Sequence, residues 1–131
     1  MSFRDPRVLA WEARLKEVFD VIDHELEDAH GDRYPLHPVR AARGETENPA
    51  SDGLFEIGAA FTTGYGSEKG RGYVVSARIS TLSRIPSDIQ EKLNAYVAER
   101  LSTLLPEYFP GQELRVERDG PVFKIVGDLA L

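Results

Sequence analysis

Four glycines and two cations lie close together between two strand-like runs, and residue types of this kind could bind an anion. The cluster spans residues 62–73 and reads TTGYGSEKGRGY. Glycine permits positive φ and close approach of the backbone, and N–H groups freed in such a turn attract anions. Lys69 and Arg71 would add charge beside Gly66 and Gly70. The alternative interpretation, which we favour, is a long hairpin loop without a ligand.

A second group of candidate residues lies in residues 33–53, where hydrophobic periodicity is lost. Arg40 and Arg43 suit bidentate recognition of carboxylate or phosphate. His37 could act as an acid or a base. A loop of this kind is either functional or simply exposed with solubilising charges. If the chain has an anion site, we expect it where this loop approaches the glycine-rich turn.

The charge distribution gives this expectation limited support. The chain of 131 residues has a formal net charge of -6, which disfavours general binding of nucleic acid. When the chain is divided into residues 1–32, 33–86 and 87–131, only the middle segment is net positive, with seven basic and five acidic groups. That segment contains both the loop and the glycine-rich turn.

No motif for catalysis or for a cofactor is found. The chain has no cysteine, which excludes disulfides, thiolate catalysis and cysteine metal sites. There is no Gly-x-Ser-x-Gly elbow, and the glycine spacing fits neither a dinucleotide fingerprint nor a P-loop. We therefore expect no catalytic residue and no cofactor, although an enzymatic role stays open.

Residues 69–75, KGRGYVV, resemble the basic-Gly-aromatic-Gly-aromatic-Val core of RNA recognition motif domains. The resemblance covers seven residues and implies stacking of RNA bases on exposed aromatic side chains. Arg71 stands where the family has its first stacking aromatic, and Ser76 where it has its last. The family also begins with a strand, whereas this chain begins with a helix. Strand alternation places Tyr73 on the face that needs burial, so we expect it to face the helices.

The N-terminal segment predicts an amphipathic helix from Pro6 to His30, with Asp5 as its N-cap. One stripe of this helix carries acidic and imidazole groups and lies nearly opposite the apolar face. We interpret the stripe as a solvated face, with a hard divalent metal ion as the alternative. Its members are Glu17, Asp20, Asp23, His24 and Glu27.

The rest of the chain predicts a hairpin, a second helix and a second hairpin. The strands are expected at 54–63 and 73–81, then at 114–118 and 122–129. The second helix should begin with a capping box of Ser87 and Gln90 and end near Leu105. The sequence therefore predicts a single α+β domain over 1–131, of order α-β-β-α-β-β. Both helices should pack on one face of a mostly antiparallel four-stranded sheet.

The function that we predict from these features is a non-catalytic interaction or self-association module that uses the uncovered sheet face and the loops. A homodimer or a protein partner would occupy it. The alternatives are a binding protein or small enzyme for an anionic metabolite and, more weakly, RNA binding. A cytoplasmic location without membrane contact is expected, since the chain lacks a long apolar run.

Overall fold

The computed structural model describes residues 5–65 and 69–129, which form two helices and a four-stranded sheet. The α+β fold and the predicted order α-β-β-α-β-β are confirmed. The elements are α1 (Pro6–His30), β1 (Phe55–Thr62), β2 (Gly72–Ile79), α2 (Ser87–Tyr108), β3 (Leu114–Asp119) and β4 (Val122–Gly127).

Helix α1 begins and ends where the sequence predicts. The carboxylate of Asp5 accepts a hydrogen bond from the backbone N–H of Arg7, and proline occupies the first helical position, where no N–H is needed. The apolar stripe is buried against the sheet and α2, and includes Trp11, Leu15, Val18, Phe19, Ile22 and Leu26. Neither helix of the described chain is long and apolar enough to cross a bilayer.

The sheet has the strand order β1-β2-β4-β3, and every neighbouring pair is antiparallel. Tyr73 stands opposite Phe61 on one side and Ile125 on the other. It is 2% exposed, its ring lies 5.0 Å from that of Trp11, and its hydroxyl donates to Glu12. The prediction that Tyr73 faces the helices is therefore confirmed, and a tyrosine buried in this way is not available to stack on a base.

Two predicted details of α2 are wrong. Ser87 does not form a capping box with Gln90, because Pro86 precedes the helix and no side chain caps it. Gln90 instead donates from Nε2 to the carbonyl of Ala77, since it faces the sheet. Pro106 does not end the helix, which continues to Tyr108. The lost N–H lies in the last turn, and burial of the neighbouring Leu105 holds this end against the core.

The segment between α1 and β1 is irregular, as predicted, but it is folded onto the domain. It contains a short 3₁₀ helix, Pro49–Ser51, and an isolated bridge between Ala41 and Asp52. Asp52 and the two residues that follow it are buried. The loop is therefore part of the packed structure rather than an exposed connection.

Candidate functional site

Arg40 is bound by the backbone of the loop and of β1. Its Nη2 donates to the carbonyls of Ala50, Asp52 and Phe55 at 2.8, 3.1 and 3.2 Å, and its Nε donates to that of Gly53 at 3.1 Å. The side chain is only 14% exposed. These bonds fix the loop against the first residue of β1, so Arg40 has a structural role that its residue type alone did not reveal.

The other two candidates in the loop also have partners. Arg43 forms an ion pair with Asp28 of α1 at 2.8 Å. The backbone N–H of His37 donates to Ser80, and its ring Nδ1 accepts a hydrogen bond from the backbone of Val39 at 3.2 Å. Both residues therefore anchor the loop to the surfaces beside it.

Lys69 and Gly70 of the glycine-rich turn lie against the opposite face of the sheet from the helices. Lys69 forms an ion pair with Glu117 at 3.2 Å, and the carbonyl of Gly70 accepts a hydrogen bond from Lys124 at 2.8 Å. Arg71 is exposed. Gly66 lies outside the described residues.

Among the residues that the structure describes, the loop and the turn are not brought together. Arg40 contacts Phe55 at the start of β1, whereas the turn follows Thr62 at its end. A strand of this length extends roughly 20 Å or more, given about 3.4 Å per residue. The four cations therefore form no common clamp, and anion binding by the turn alone stays a prediction.

Close packing explains two of the glycines in the turn. A Cβ at Gly64 would overlap the backbone of Gly70, and a Cβ at Gly72 would overlap the carbonyl oxygen of Ile125 and meet the side chain of Lys124. Lys124 is 2% exposed, and its Nζ pairs with Asp119 at 2.6 Å. The turn thus folds over a buried lysine, an arrangement whose only sequence signal is a cation amid the apolar run of β4.

The acidic stripe of α1 is not uniformly solvated, so that prediction is wrong for two of its members. Glu17 and His24 are exposed, but Asp23 and Glu27 are 2% and 6% exposed. The loop folds over them, which the helix periodicity could not show. Within residues 5–65 and 69–129, no group of three or more His, Cys, Asp or Glu side chains is arranged to hold a metal ion.

Glu27 holds the start of β1. Its carboxylate accepts hydrogen bonds from the backbone N–H groups of Leu54 at 3.2 Å and Phe55 at 2.8 Å. Gly53 adopts a φ of 74°, and a Cβ there would overlap this carboxylate. Glycine is therefore required before the strand, because only glycine leaves room for the carboxylate of Glu27 beside the backbone at this position.

Asp23 lies beside this contact without a full set of hydrogen bonds. Its Oδ2 is buried and has no hydrogen-bond partner in the described chain. Burial raises the pKa of Asp23 from 3.8 to about 7, with further contributions from the carboxylates of Glu27, Asp20 and Asp52 and an opposing one from Arg40. The folded state therefore binds a proton on Asp23 at pH values where the unfolded chain has lost it.

We expect the stability of the domain to fall as pH rises from about 4 to 7, because protonation of Asp23 favours the folded state over that range. Asp23→Asn removes this dependence. The free energy of unfolding of the variant, compared with that of the wild type, should be roughly 2 kcal/mol higher at pH 8 than at pH 5. Urea unfolding at several pH values measures the difference. Asp32→Asn, at an exposed position, is the control; equal pH profiles for wild type and Asp23→Asn would contradict the assignment.

The outer edge of β1 begins at Phe55, where it is covered. The N–H of Phe55 donates to Glu27 and its carbonyl accepts from Arg40, so both backbone groups point away from β2. Residues of an antiparallel strand alternate in the direction of these groups. The outward direction at Phe55 therefore fixes which later residues present backbone groups at the edge.

The 3₁₀ helix Pro49–Ser51 also lies beside β1, but no strand of residues 5–65 and 69–129 pairs with the rest of this edge. By the same alternation, Ile57, Ala59 and Phe61 direct their N–H and carbonyl groups outward, and β1 is the last strand on this side of the sheet. The strand reads FEIGAAFT and has no charge after Glu56. An uncharged strand edge of this kind is a template for pairing with another strand.

The opposite edge of the sheet is protected. Strand β3 reads LRVERD, so four of its six residues are charged. Charged side chains are a common means of preventing strands from pairing at an edge. The difference between β3 and β1 makes the edge of β1 the candidate functional site.

A groove runs beside this edge, between α1 and β1. It has a volume of about 300 Å³, with Leu15, Phe19 and Ile57 among its apolar lining residues. Phe61 also lines the groove and is 43% exposed, which is high for a residue on the helix-covered face. The groove could receive side chains from a strand added to β1.

The comparisons with known proteins concern the whole of this fold. A protein family described as "Uncharacterised protein" matches residues 6–127. The chain belongs to that family. The matched residues run from the first residue of α1 to the last of β4. An "Uncharacterized protein" of Borreliella burgdorferi is 39% identical over 106 residues, which cover 81% of this chain and 83% of the relative. No solved structure matches the chain.

Proposed function

We propose that this domain is a self-association module that forms a two-fold dimer by pairing β1 with β1 of a second copy. The observation that carries the proposal is the alternation at this edge. The backbone groups of Phe55 are held by Glu27 and Arg40, and those of the next three outward residues have no neighbouring strand within the described part of the chain. Pairing with a second strand would satisfy them.

The edge is complementary to itself. A two-fold axis at Ala59 places Ala59 opposite Ala59 of the second copy and Ile57 opposite Phe61. All three residues direct their backbone groups outward, so each opposed pair exchanges two hydrogen bonds, or about six in all. An unrelated extended segment could also pair here, but only a copy of β1 repeats this pattern by symmetry.

The side chains permit such a pairing. The centre of β1 is built from Gly58, Ala59 and Ala60, which let two backbones approach without a clash. On the helix-covered side, Phe61 of each copy would lie opposite Ile57 of the other, next to the groove between α1 and β1. The exposed part of Phe61 would thereby be buried, and apolar burial stabilises association.

The uncovered sheet face fits self-association less well than the edge does. Glu56 and Arg78 form an ion pair at 3.3 Å on this face, and Ser76 is exposed between them and the glycine-rich turn. Lys124 and the turn occupy part of the same face. We therefore assign the interaction to the edge of β1 rather than to the face.

Sedimentation equilibrium over a range of protein concentrations tests the proposal. We expect the average mass to rise with concentration from the monomer value of 14.6 kDa towards twice that value. A single species of monomer mass at every concentration up to the solubility limit would overturn it.

A further inference from the structure

We propose that a pocket between α1 and α2 binds a small organic monocarboxylate with an apolar body. The pocket opens beside the start of β1 and the end of β2 and has a volume of about 540 Å³. Binding sites for small organic molecules usually have volumes of about 300–1,000 Å³ and combine an apolar lining with a few polar groups. The site is separate from the proposed dimer edge, because Phe55 contributes to it whereas the free edge begins two residues later.

The floor of the pocket is apolar. Phe55 and Ile79 contribute from β1 and β2, Leu26 from α1, and Ile89 and Leu93 from α2. These five side chains have no group to hydrogen-bond a sugar or the ring edges of a nucleobase, and Tyr34 adds a hydroxyl to the lining. The floor suits a hydrocarbon chain or an aromatic ring, which gains free energy when it leaves water.

The polar lining includes three groups that can bind an anion. Arg33 and Lys92 are exposed at the pocket, and neither forms an ion pair within the part of the chain that the structure describes. Two uncommitted cations beside an apolar pocket stand out in a chain with a net charge of -6. Their charge complements a carboxylate.

His30 supplies the third group and an unsatisfied atom. Its Nδ1 is buried and has no hydrogen-bond partner among the described residues. A buried polar atom without a partner is costly, and the majority of such atoms are satisfied in native proteins. The ring of His30 lines the pocket, and it would have to turn for this nitrogen to donate to a carboxylate held by Arg33 and Lys92.

The walls of the pocket are held in place before any ligand binds. Tyr96 lines the pocket, and its hydroxyl donates to Glu25 of α1 at 3.0 Å. Arg100 donates to the same carboxylate twice, at 2.8 Å each. This network joins the two helices beside the pocket, and a site whose helices need no rearrangement loses less free energy on binding.

Calorimetric titration with octanoate and with 1-octanol tests the proposal. Octanoate should bind with one-to-one stoichiometry and at least about tenfold more tightly than the alcohol, because only the acid meets the cations. Lys92→Gln and Arg33→Gln should each weaken octanoate about tenfold, whereas Arg84→Gln, at an exposed position outside the pocket, should not. Inorganic phosphate serves as the anion without an apolar body and should bind much more weakly.

Ile89→Trp tests the location without changing charge, since the larger ring would occupy the pocket. It should abolish octanoate binding while the thermal unfolding curve stays cooperative. Three results would overturn the proposal: no saturable binding of octanoate, equal affinity for octanoate and octanol, or equal responses of Lys92→Gln and Arg84→Gln. None of these depends on dimer formation, so the proposal can fail or stand separately from self-association.

Discussion

Ala59→Pro should convert the dimer into a folded monomer. The N–H of Ala59 points away from β2, so proline removes no hydrogen bond within the sheet. Gly58 precedes it and tolerates the restriction that proline imposes on the preceding residue. Across the two-fold axis the change removes two hydrogen bonds, and each proline ring would clash with the carbonyl oxygen of residue 59 in the other copy. We expect association to weaken roughly a hundredfold, or about 3 kcal/mol.

Sedimentation of the variant beside the wild type measures this effect, and circular dichroism verifies that it is folded. Should Ala59→Pro fail to fold, Phe61→Lys provides a second route, because it would place a charge opposite Ile57 of the second copy. Leu82→Lys is the matched control at a hydrophobic position that is 74% exposed and lies outside β1. Folded variants of Ala59 and Phe61 that associate as strongly as the wild type would contradict the proposed edge.

Glu27→Ala should have the largest effect on stability. The change leaves two buried backbone N–H groups, those of Leu54 and Phe55, without acceptors. Each unsatisfied buried group costs about 1–3 kcal/mol, so the free energy of unfolding should fall by roughly 3 kcal/mol or more. That is a large share of the roughly 5–15 kcal/mol typical of a domain.

Urea unfolding compares this variant with Glu17→Ala, which removes the same group from an exposed position on the same helix. The control should change stability by less than about 0.5 kcal/mol. A similar loss for both variants would show that Glu27 acts only through the helix surface. The contact would then not be the anchor of β1.

The elements could be predicted from the sequence because their signals are local. Asp5 and Pro6 mark the start of α1, and the apolar spacing carries the helix to Gly31. Strand alternation also placed Tyr73 on the helix-covered face, where a shift of one residue would have exposed it. Caps, periodicities and turns that agree with one another are sufficient for this level of structure.

The contacts of the loop could not be predicted, because they join residues that are distant in the sequence. Glu27 and Asp23 have the spacing of a solvated stripe, and only the folded loop buries them. Arg40 has the residue type of an anion ligand, yet backbone carbonyls occupy its donors. A charged residue gives the same sequence signal whether it binds a ligand, a backbone or water.

The open edge of β1 could not be recognised either, although its composition is visible in the sequence. Residues 57–63 carry no charge, whereas β3 is mostly charged. This contrast has meaning only when the strand order places both at the edges of the sheet. Sequence order alone would equally allow β1 to lie inside the sheet, where an uncharged strand is ordinary.

Cysteine cross-linking at the two-fold axis tests the central claim most directly, since the natural chain has no cysteine. In the proposed dimer, the two Cα atoms at position 59 lie about 5.5 Å apart, within the range for a disulfide. Under mild oxidation, Ala59→Cys should become a covalent dimer much faster than Leu82→Cys, whose site is 74% exposed. Ala59→Cys that stays monomeric while Leu82→Cys cross-links as fast or faster would contradict pairing through β1.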